Sequence, residues 1–429
     1  MFENVLGQPI TRLLCDEIQR AVLPPALLFS GPEASGKLTT ALETARSLSC
    51  METGSWTCSC ESCKRQKDLS AADLLILGTR DNLLEIYAAA RSLCATKTAA
   101  ACYLFVRAVR KLTSRFDSRV WDTDEARFLK AAPILADIDG AVSDLLEQSE
   151  KISQSEEEKL EKQTKKITEL CEKLQEDCMY DALPVNQVRK ASTWVRLMPI
   201  GKKKVLIIEN ADKMQESARN AFLKILEEPP EYAVFILTTT RRSAIISTIL
   251  SRLRSYSFIE REASYQQAVI ERVFRDRYFC TGLQPEQPIR IVSYLQSFLP
   301  VSPVQLKEAA ALFWEYCFTA MADKTAVQFS ILSATVASFR TANPTHSAAS
   351  LSAVLKLINN GKLHRVYTLF LESVVSFLQD SIRTGGCSLI ELERYAALSY
   401  FIQEALQSVR IFNSTVQAAI ETLAQQIIC

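Results

Sequence analysis

Short apolar runs alternate with amphipathic stretches in two parts of the chain, before residue 78 and between 183 and 260. Residues 3–21 carry apolar side chains at helical spacing, and A26-L-L-F-S30 is a short run with strand character. L38-T-T-A-L-E-T-A-R-S-L-S-C50 returns to a helical period, and A72-D-L-L-I-L77 reads as a second strand. Further on, P184-V-N-Q-V-R-K-A-S-T-W-V195 predicts an amphipathic helix. V205-L-I-I208 is a continuous apolar strand, as expected where both faces of a parallel sheet are covered. S217-A-R-N-A-F-L-K-I-L-E228 predicts another helix, stopped by Pro229 and Pro230, and V234-F-I-L-T-T239 a further strand. This alternation predicts an α/β domain over residues 1–260 with a parallel sheet.

The stretch between these two parts, about 79–182, is helical throughout and reads as an insertion. Its first half carries Leu104, Phe105, Ala108, Val109 and Leu112 on one helical face. Its second half is charged, with Leu160, Ile167 and Leu174 recurring every seven residues. That pattern predicts an exposed helical arm or a short coiled coil; a helix packed on its own chain is the preferred reading over an oligomerisation site. Beyond 260 the period is helical and glycine is nearly confined to Gly282, Gly361 and the Gly385–Gly386 turn. Two all-helical domains follow from this, at 261–325 and 326–429.

With 429 residues, 48% of them hydrophobic and 23% charged, the chain is long enough for about three folded domains. Only 11 Gly and 14 Pro exclude a collagen-like or low-complexity chain. A net charge of +1 gives no global signature of nucleic-acid binding. No run of 18 apolar residues is present, and the first residues lack a basic stretch followed by an apolar one. A cytoplasmic protein with no membrane partner is expected. Of 13 Cys, four cluster at Cys50, Cys58, Cys60 and Cys63, and metal binding is a natural explanation where disulfides are disfavoured. The other nine read as small buried side chains.

The sharpest chemistry lies between the first strand and the helix after it. G31-P-E-A-S-G-K37 matches G-x-x-x-x-G-K, whose backbone amides, with the following helix N-terminus, bind phosphates. Gly31, Ser35, Gly36, Lys37, Leu38 and Thr39 are therefore candidate nucleotide contacts. The motif continues with Ser or Thr, whose hydroxyl ligates Mg²⁺; here Leu38 cannot, and Thr39 is turned about 100° away. Past the strand at 205–208 come Glu209, Asn210 and Asp212. Active enzymes of this type place adjacent carboxylates there, and Asn210 has replaced one. Both departures predict weak or lost ATP binding and lost hydrolysis.

In order along the chain, V5-L-G-Q8, the loop 26–37, the Cys cluster, I207-I-E-N-A-D212, N220-A-F-L-K-I-L-E-E-P-P230, L237-T-T-T240 and T248-I-L-S-R-L253 resemble the AAA+ clamp-loader subunits of bacterial DNA polymerase III. The resemblance implies a RecA-like parallel sheet followed by all-α lid and collar domains. It implies that Thr239 or Thr240 senses the terminal phosphate. It implies that Ser251 and Arg252 form a Ser-Arg motif whose arginine acts in trans on a neighbour's ATP, with Leu253 in place of Cys. It implies Zn on Cys50, Cys58, Cys60 and Cys63, though Cys58-x-Cys60 departs from the family spacing by one residue. No Gly-x-x-Arg second sensor occurs in 261–325. The departures point to the delta-prime type. The implied partners are gamma/tau and delta subunits in a hetero-pentamer, with the sliding clamp and primed DNA reached through the complex. The alternatives are a gamma/tau-type motor, rescued by Thr39 and Glu209, and a zinc-stabilised scaffold with a vestigial nucleotide site.

Overall fold

Contacts divide the chain into two units, Met1–Phe298 and Leu299–Cys429. The computed structural model describes all residues except 123–124, 150–151, 153–156, 278, 280–288, 322–328, 344–348, 359–362, 413 and 429.

The first unit runs α1 (Ile10–Gln19), β1 (Ala26–Ser30), α2 (Lys37–Ser49), α3 (Glu61–Lys67), β2 (Leu74–Gly78), α4 (Leu83–Thr96), α5 (Ala99–Thr113), α6 (Ala126–Glu147) and α7 (Glu157–Cys178). It continues with α8 (Val185–Arg196), β3 (Lys204–Glu209), α9 (Glu216–Glu227), β4 (Ala233–Thr239), α10 (Ser247–Leu250), β5 (Arg254–Ser257), α11 (Ala263–Arg272) and α12 (Ile291–Gln296). The five strands form one parallel sheet in the order β2-β3-β4-β1-β5. Every residue of β1 to β4 is buried. Successive side chains point to opposite faces, so each strand feeds two cores. Leu28, Leu75, Leu77, Leu206, Ile208, Phe235 and Leu237 join one cluster, while Leu27, Phe29, Leu74, Ile76, Val205, Ile207, Val234 and Ile236 join the other.

One expectation changes here, and a choice left open is decided. The first helix begins at Ile10, not residue 3, because Gly7 holds a left-handed turn at φ 65° and Pro9 stands at the N-cap. The described residues of 79–182 pack on their own chain, as the preferred reading had it, and do not form an exposed arm. Phe105, Val109, Ile138, Ile167 and Leu174 belong to the same core as one face of the sheet. On α7 the buried positions Leu160, Thr164, Ile167, Cys171, Leu174 and Cys178 alternate steps of four and three, a heptad seam spent on α4 and α6 of the same chain.

α11 and α12 lie in the first unit, where Ile270, Phe274, Ile291 and Tyr294 pack with Ala88 of α4. The second unit holds α13 (Pro303–Met321), α14 (Ser330–Ala342), α15 (Leu351–Ile358), α16 (Leu363–Thr384), α17 (Leu389–Phe412) and α18 (Val416–Ile428) around one apolar cluster. Its central helix is α13, whose Trp314 Nε1 donates to the Val374 carbonyl at 3.2 Å. The division therefore falls before α13. The expected break near 325 lies outside the described residues.

Candidate functional site

In an open parallel sheet, ligands bind beyond the carboxyl ends of the strands. Here β3, β4 and β1 are neighbours, with Ser30 opposite Thr239 and Ile208 opposite Leu237. The loop after β1, Glu209 and Thr239 are thus brought to one edge by strand order. The loop needs glycine at both ends. Gly31, at φ 154°, lies against the Phe258 backbone with no room for a Cβ. Gly36, at φ 93°, is the N-cap of α2.

Lys37 reaches back across the loop, and its Nζ donates to the Gly31 carbonyl at 2.8 Å, to the Pro32 carbonyl, and to Ser35 Oγ at 3.3 Å. Burial and the nearby charges of Arg80 and Arg261 bring its pKa down to about 8, against the opposing pull of Glu33 and Asp212. Leu38 is 7% exposed and packs in the core beside Phe29 and Leu42. Its side chain is therefore committed to the fold, and Thr39 is half-buried.

Glu209, Glu85 and Asp212 at this edge are held by other side chains, while Glu33 is exposed on the loop. Glu209 is 2% exposed and accepts from Arg115 Nη2, with Arg80 Nη1 3.7 Å from its other oxygen. Arg80 is there because β2 adjoins β3, with Gly78 in register with Glu209. Arg115 arrives from the end of α5. Glu85 pairs with Lys111 and with Arg80 at 3.0 Å; burial alone would raise its pKa, but these two cations hold it down to about 2. Asn210 takes a left-handed turn at φ 49°, a conformation Asn tolerates, and the turn presents Asp212. Asp212 accepts from Thr239 Oγ1 at 2.7 Å and from Arg241 Nη2 at 2.9 Å. Sequence reading missed Arg80, Arg115 and Arg261. Nothing in the chain links Arg115 to a carboxylate 94 residues away.

Ser251 and Arg252 lie on the surface just past α10, away from the core. Arg252 Nη2 donates to Glu227 Oε1 at 2.7 Å and Nη1 to the Thr248 carbonyl at 2.7 Å. A solvent-facing pair of this kind contributes about 0–1 kcal/mol, so the guanidinium is readily released.

The four cysteines meet where α2 ends and α3 begins. Their sulfurs all lie within 4.8 Å of one another. Cys50 Sγ is 3.7 Å from Cys58 Sγ and 4.0 Å from Cys60 Sγ. Tetrahedral coordination at a metal–sulfur distance of about 2.3 Å places sulfurs about 3.8 Å apart, so the donor set fits such a metal. Cys58 sits within the set despite its irregular spacing. Donors surround the sulfurs: Gly54 N to Cys50 Sγ at 3.2 Å, Cys63 N to Cys60 Sγ at 3.5 Å, and Arg46 Nη1 to Cys63 Sγ at 3.0 Å. Arg46 is 2% exposed and is itself fixed by Glu43, at 2.9 Å from Nε and 2.6 Å from Nη2.

A parallel sheet of this order, with a phosphate loop after β1 and an acidic end on β3, defines a P-loop α/β protein of the AAA+ class. Residues 7–122 and 142–262, more than half of the chain, match the family described as DNA polymerase III, delta subunit, and the chain belongs to that family. That match takes in most of 79–182, so only 123–141 stand as an insertion relative to it. The chain is 39% identical over 90 residues to DNA polymerase III subunit tau of Bacillus subtilis, covering 21% of this chain and 16% of that protein. It is 31% identical over 112 residues to DNA polymerase III subunit delta' of Buchnera aphidicola, covering 25% of this chain and 34% of that protein. The aligned parts thus span about a sixth and a third of these relatives. A crystal structure of a gamma subunit-related protein from Thermotoga maritima is 16% identical, covers 58% of this chain and 80% of that one, and gives a TM-score of 0.29, at which the likeness carries no argument. No helix among the described residues is long and apolar enough to cross a membrane.

Proposed function

We propose that this chain is a delta-prime-like subunit of the DNA polymerase III clamp loader, hydrolysis-deficient itself, which lends Arg252 to the ATP of a neighbouring subunit. The cytoplasm is its place of action. Gamma/tau and delta subunits are its partners in a hetero-pentamer, and loading of the sliding clamp onto primed DNA is the work of the assembly. The observation that carries this reading is the contrast between two parts of the first unit. Around the loop, Leu38 is buried and Glu209 is neutralised by Arg115 and Arg80, so neither is available to Mg²⁺. At the surface, Arg252 is held by an exposed pair with Glu227 and a bond to the Thr248 carbonyl. A guanidinium delivered to a transferring phosphoryl group stabilises its developing charge and is worth about 10³–10⁵ in rate.

The same reading assigns Gly31, Ser35, Gly36, Lys37 and Thr39 to the remnant of a nucleotide site, with Asp212 and Thr239 at its sensing edge. Zn is assigned to Cys50, Cys58, Cys60 and Cys63 as a closed structural site; four thiolates leave no open position for catalysis. The test is ATP turnover by the reconstituted complex. Arg252→Ala should lower it at least a hundredfold while the isolated subunit melts at the native temperature. Unchanged turnover would remove the finger assignment. The 39% identity to a tau subunit favours a second reading, a motor with its own turnover. Steady Mg²⁺-dependent hydrolysis by the isolated chain would establish it.

A further inference from the structure

Three cations surround the phosphate loop; Glu209 and Asp212 are held by other side chains, and Glu33 stands exposed on the loop itself. Arg261 follows β5 and is 8% exposed. It donates from Nε to the Leu6 carbonyl at 2.7 Å and from Nη1 to the Ala34 carbonyl of the loop. A methyl group added at Gly36 would collide with its Nη2, which places the guanidinium directly against the N-cap of α2. Gln266 Nε2 fixes the Arg261 carbonyl at 2.9 Å, and Gln8 and Ile259 exchange two bonds at 2.8 and 3.2 Å. Arg261 is therefore positioned by several elements and does not sweep through solvent. Lys37 crosses the same loop, and Arg80 stands near enough to depress the lysine's pKa.

The metal side of the site is the reverse. A magnesium nucleotide is normally held by the hydroxyl after the loop lysine and by a carboxylate at the neighbouring strand end. Here Leu38 is in the core, Glu209 is bound by Arg115, and Asp212 is bound by Thr239 and Arg241. Charge that Mg²⁺ would supply is thus supplied by side chains.

We propose that the loop binds a phosphate-bearing ligand without a divalent cation, with Arg261 and Lys37 providing the neutralising charge that the metal provides elsewhere. This rests on the reading of residues 31–37 as a nucleotide loop and adds to it how the phosphates are held. Guanidinium and ammonium groups at fixed positions make charge-assisted bonds to phosphate oxygens, and the loop amides complete the cradle.

The test is equilibrium binding of ATP, and separately of inorganic pyrophosphate, to the full chain in excess EDTA and in Mg²⁺. Affinity for one or both should agree within about twofold between the two conditions. Pyrophosphate binding as tight as ATP would show that the phosphates alone are recognised; tighter ATP would show that the nucleoside contributes. Arg261→Ala should weaken metal-free binding at least tenfold. Because Arg261 also joins the Leu6 turn to the loop and Lys37 bonds the loop's own carbonyls, the melting temperature of each variant is measured beside its binding, and Lys37→Met should weaken binding to a similar degree in folded protein. The proposal is overturned if binding is more than tenfold tighter with Mg²⁺, if neither substitution weakens it, or if the native chain binds neither probe at millimolar concentration. None of these results bears on Arg252, whose role is decided by turnover of the complex. A loop that binds nothing could still accompany a working finger.

Discussion

Lys37 carries its charge in surroundings that resist it. Burial, Arg80 and Arg261 bring its pKa to about 8, so the ammonium is fully formed below that pH and lost above it. Phosphate affinity at the loop should therefore fall severalfold between pH 7 and pH 9.5, and Lys37→Arg should flatten that profile; a binding titration across the range checks both. Glu85 titrates with the opposite sign. Its folded pKa, about 2, lies below the ordinary carboxylate value of about 4.3. The stability it contributes is present above pH 4.3 and is lost as the pH falls toward 2. Glu85→Gln leaves Lys111 and Arg80 without their buried partner and should cost about 3 kcal/mol at pH 7, shrinking toward zero near pH 2. Urea unfolding at the two pH values would show the convergence. Arg46 is a positioning residue for the cysteine cluster, bonded to Cys63 and clamped by Glu43. On the proposed zinc assignment, Arg46→Met should accelerate release of zinc to a chelator, with metal affinity reduced about tenfold. Unchanged release with a lowered melting temperature would leave Arg46 a purely structural role.

Elements whose side chains face a core on both sides could be read from the chain directly. β1, β3 and β4 are apolar runs, and their bounds fall within two residues of the runs that predict them. β5 could not be found in this way. R254-S-Y-S257 lies at one edge of the sheet, pairs with β1 alone and buries only Tyr256 fully, whereas β2 at the other edge is buried throughout. α7 shows the middle case. Its heptad repeat was visible, but a repeat does not say what covers it, and the cover is α4 and α6 of the same chain. That distinction has a measurable form. Ile167, fully buried, should cost about 2–5 kcal/mol when changed to Ala, at any protein concentration. A penalty that depended on concentration would mean the seam is shared between chains. The site divided the same way. Leu38 directly follows the loop and Asn210 directly follows the strand end at Glu209, so each departure was readable beside its own motif. The arginines that take over the charges come from the ends of β2, α5 and β5, and only strand order and helix packing bring them together.

The two units differ in what holds them. The first combines two apolar clusters on the sheet, a third among α4, α11 and α12, and the cysteine cluster. In the second, one cluster draws all its members from residues 301–427, with α13 in contact with α14, α15, α16 and α18. Trp314, Phe313 and Phe370 lie at its centre, with Phe313 and Phe370 edge to face at 5.8 Å. A cluster that recruits nothing from before residue 299 should survive separation. Residues 299–429 expressed alone should therefore be helical and melt cooperatively, within the size range of independent domains. If the cysteines hold zinc as proposed, chelation should lower the melting temperature of the first unit and leave the second transition where it is, since no cysteine of the cluster reaches beyond residue 63. Differential calorimetry with and without chelator would resolve the two transitions. If both moved together, the units would be energetically coupled, and the stability of the helical part would depend on what the cysteine cluster holds.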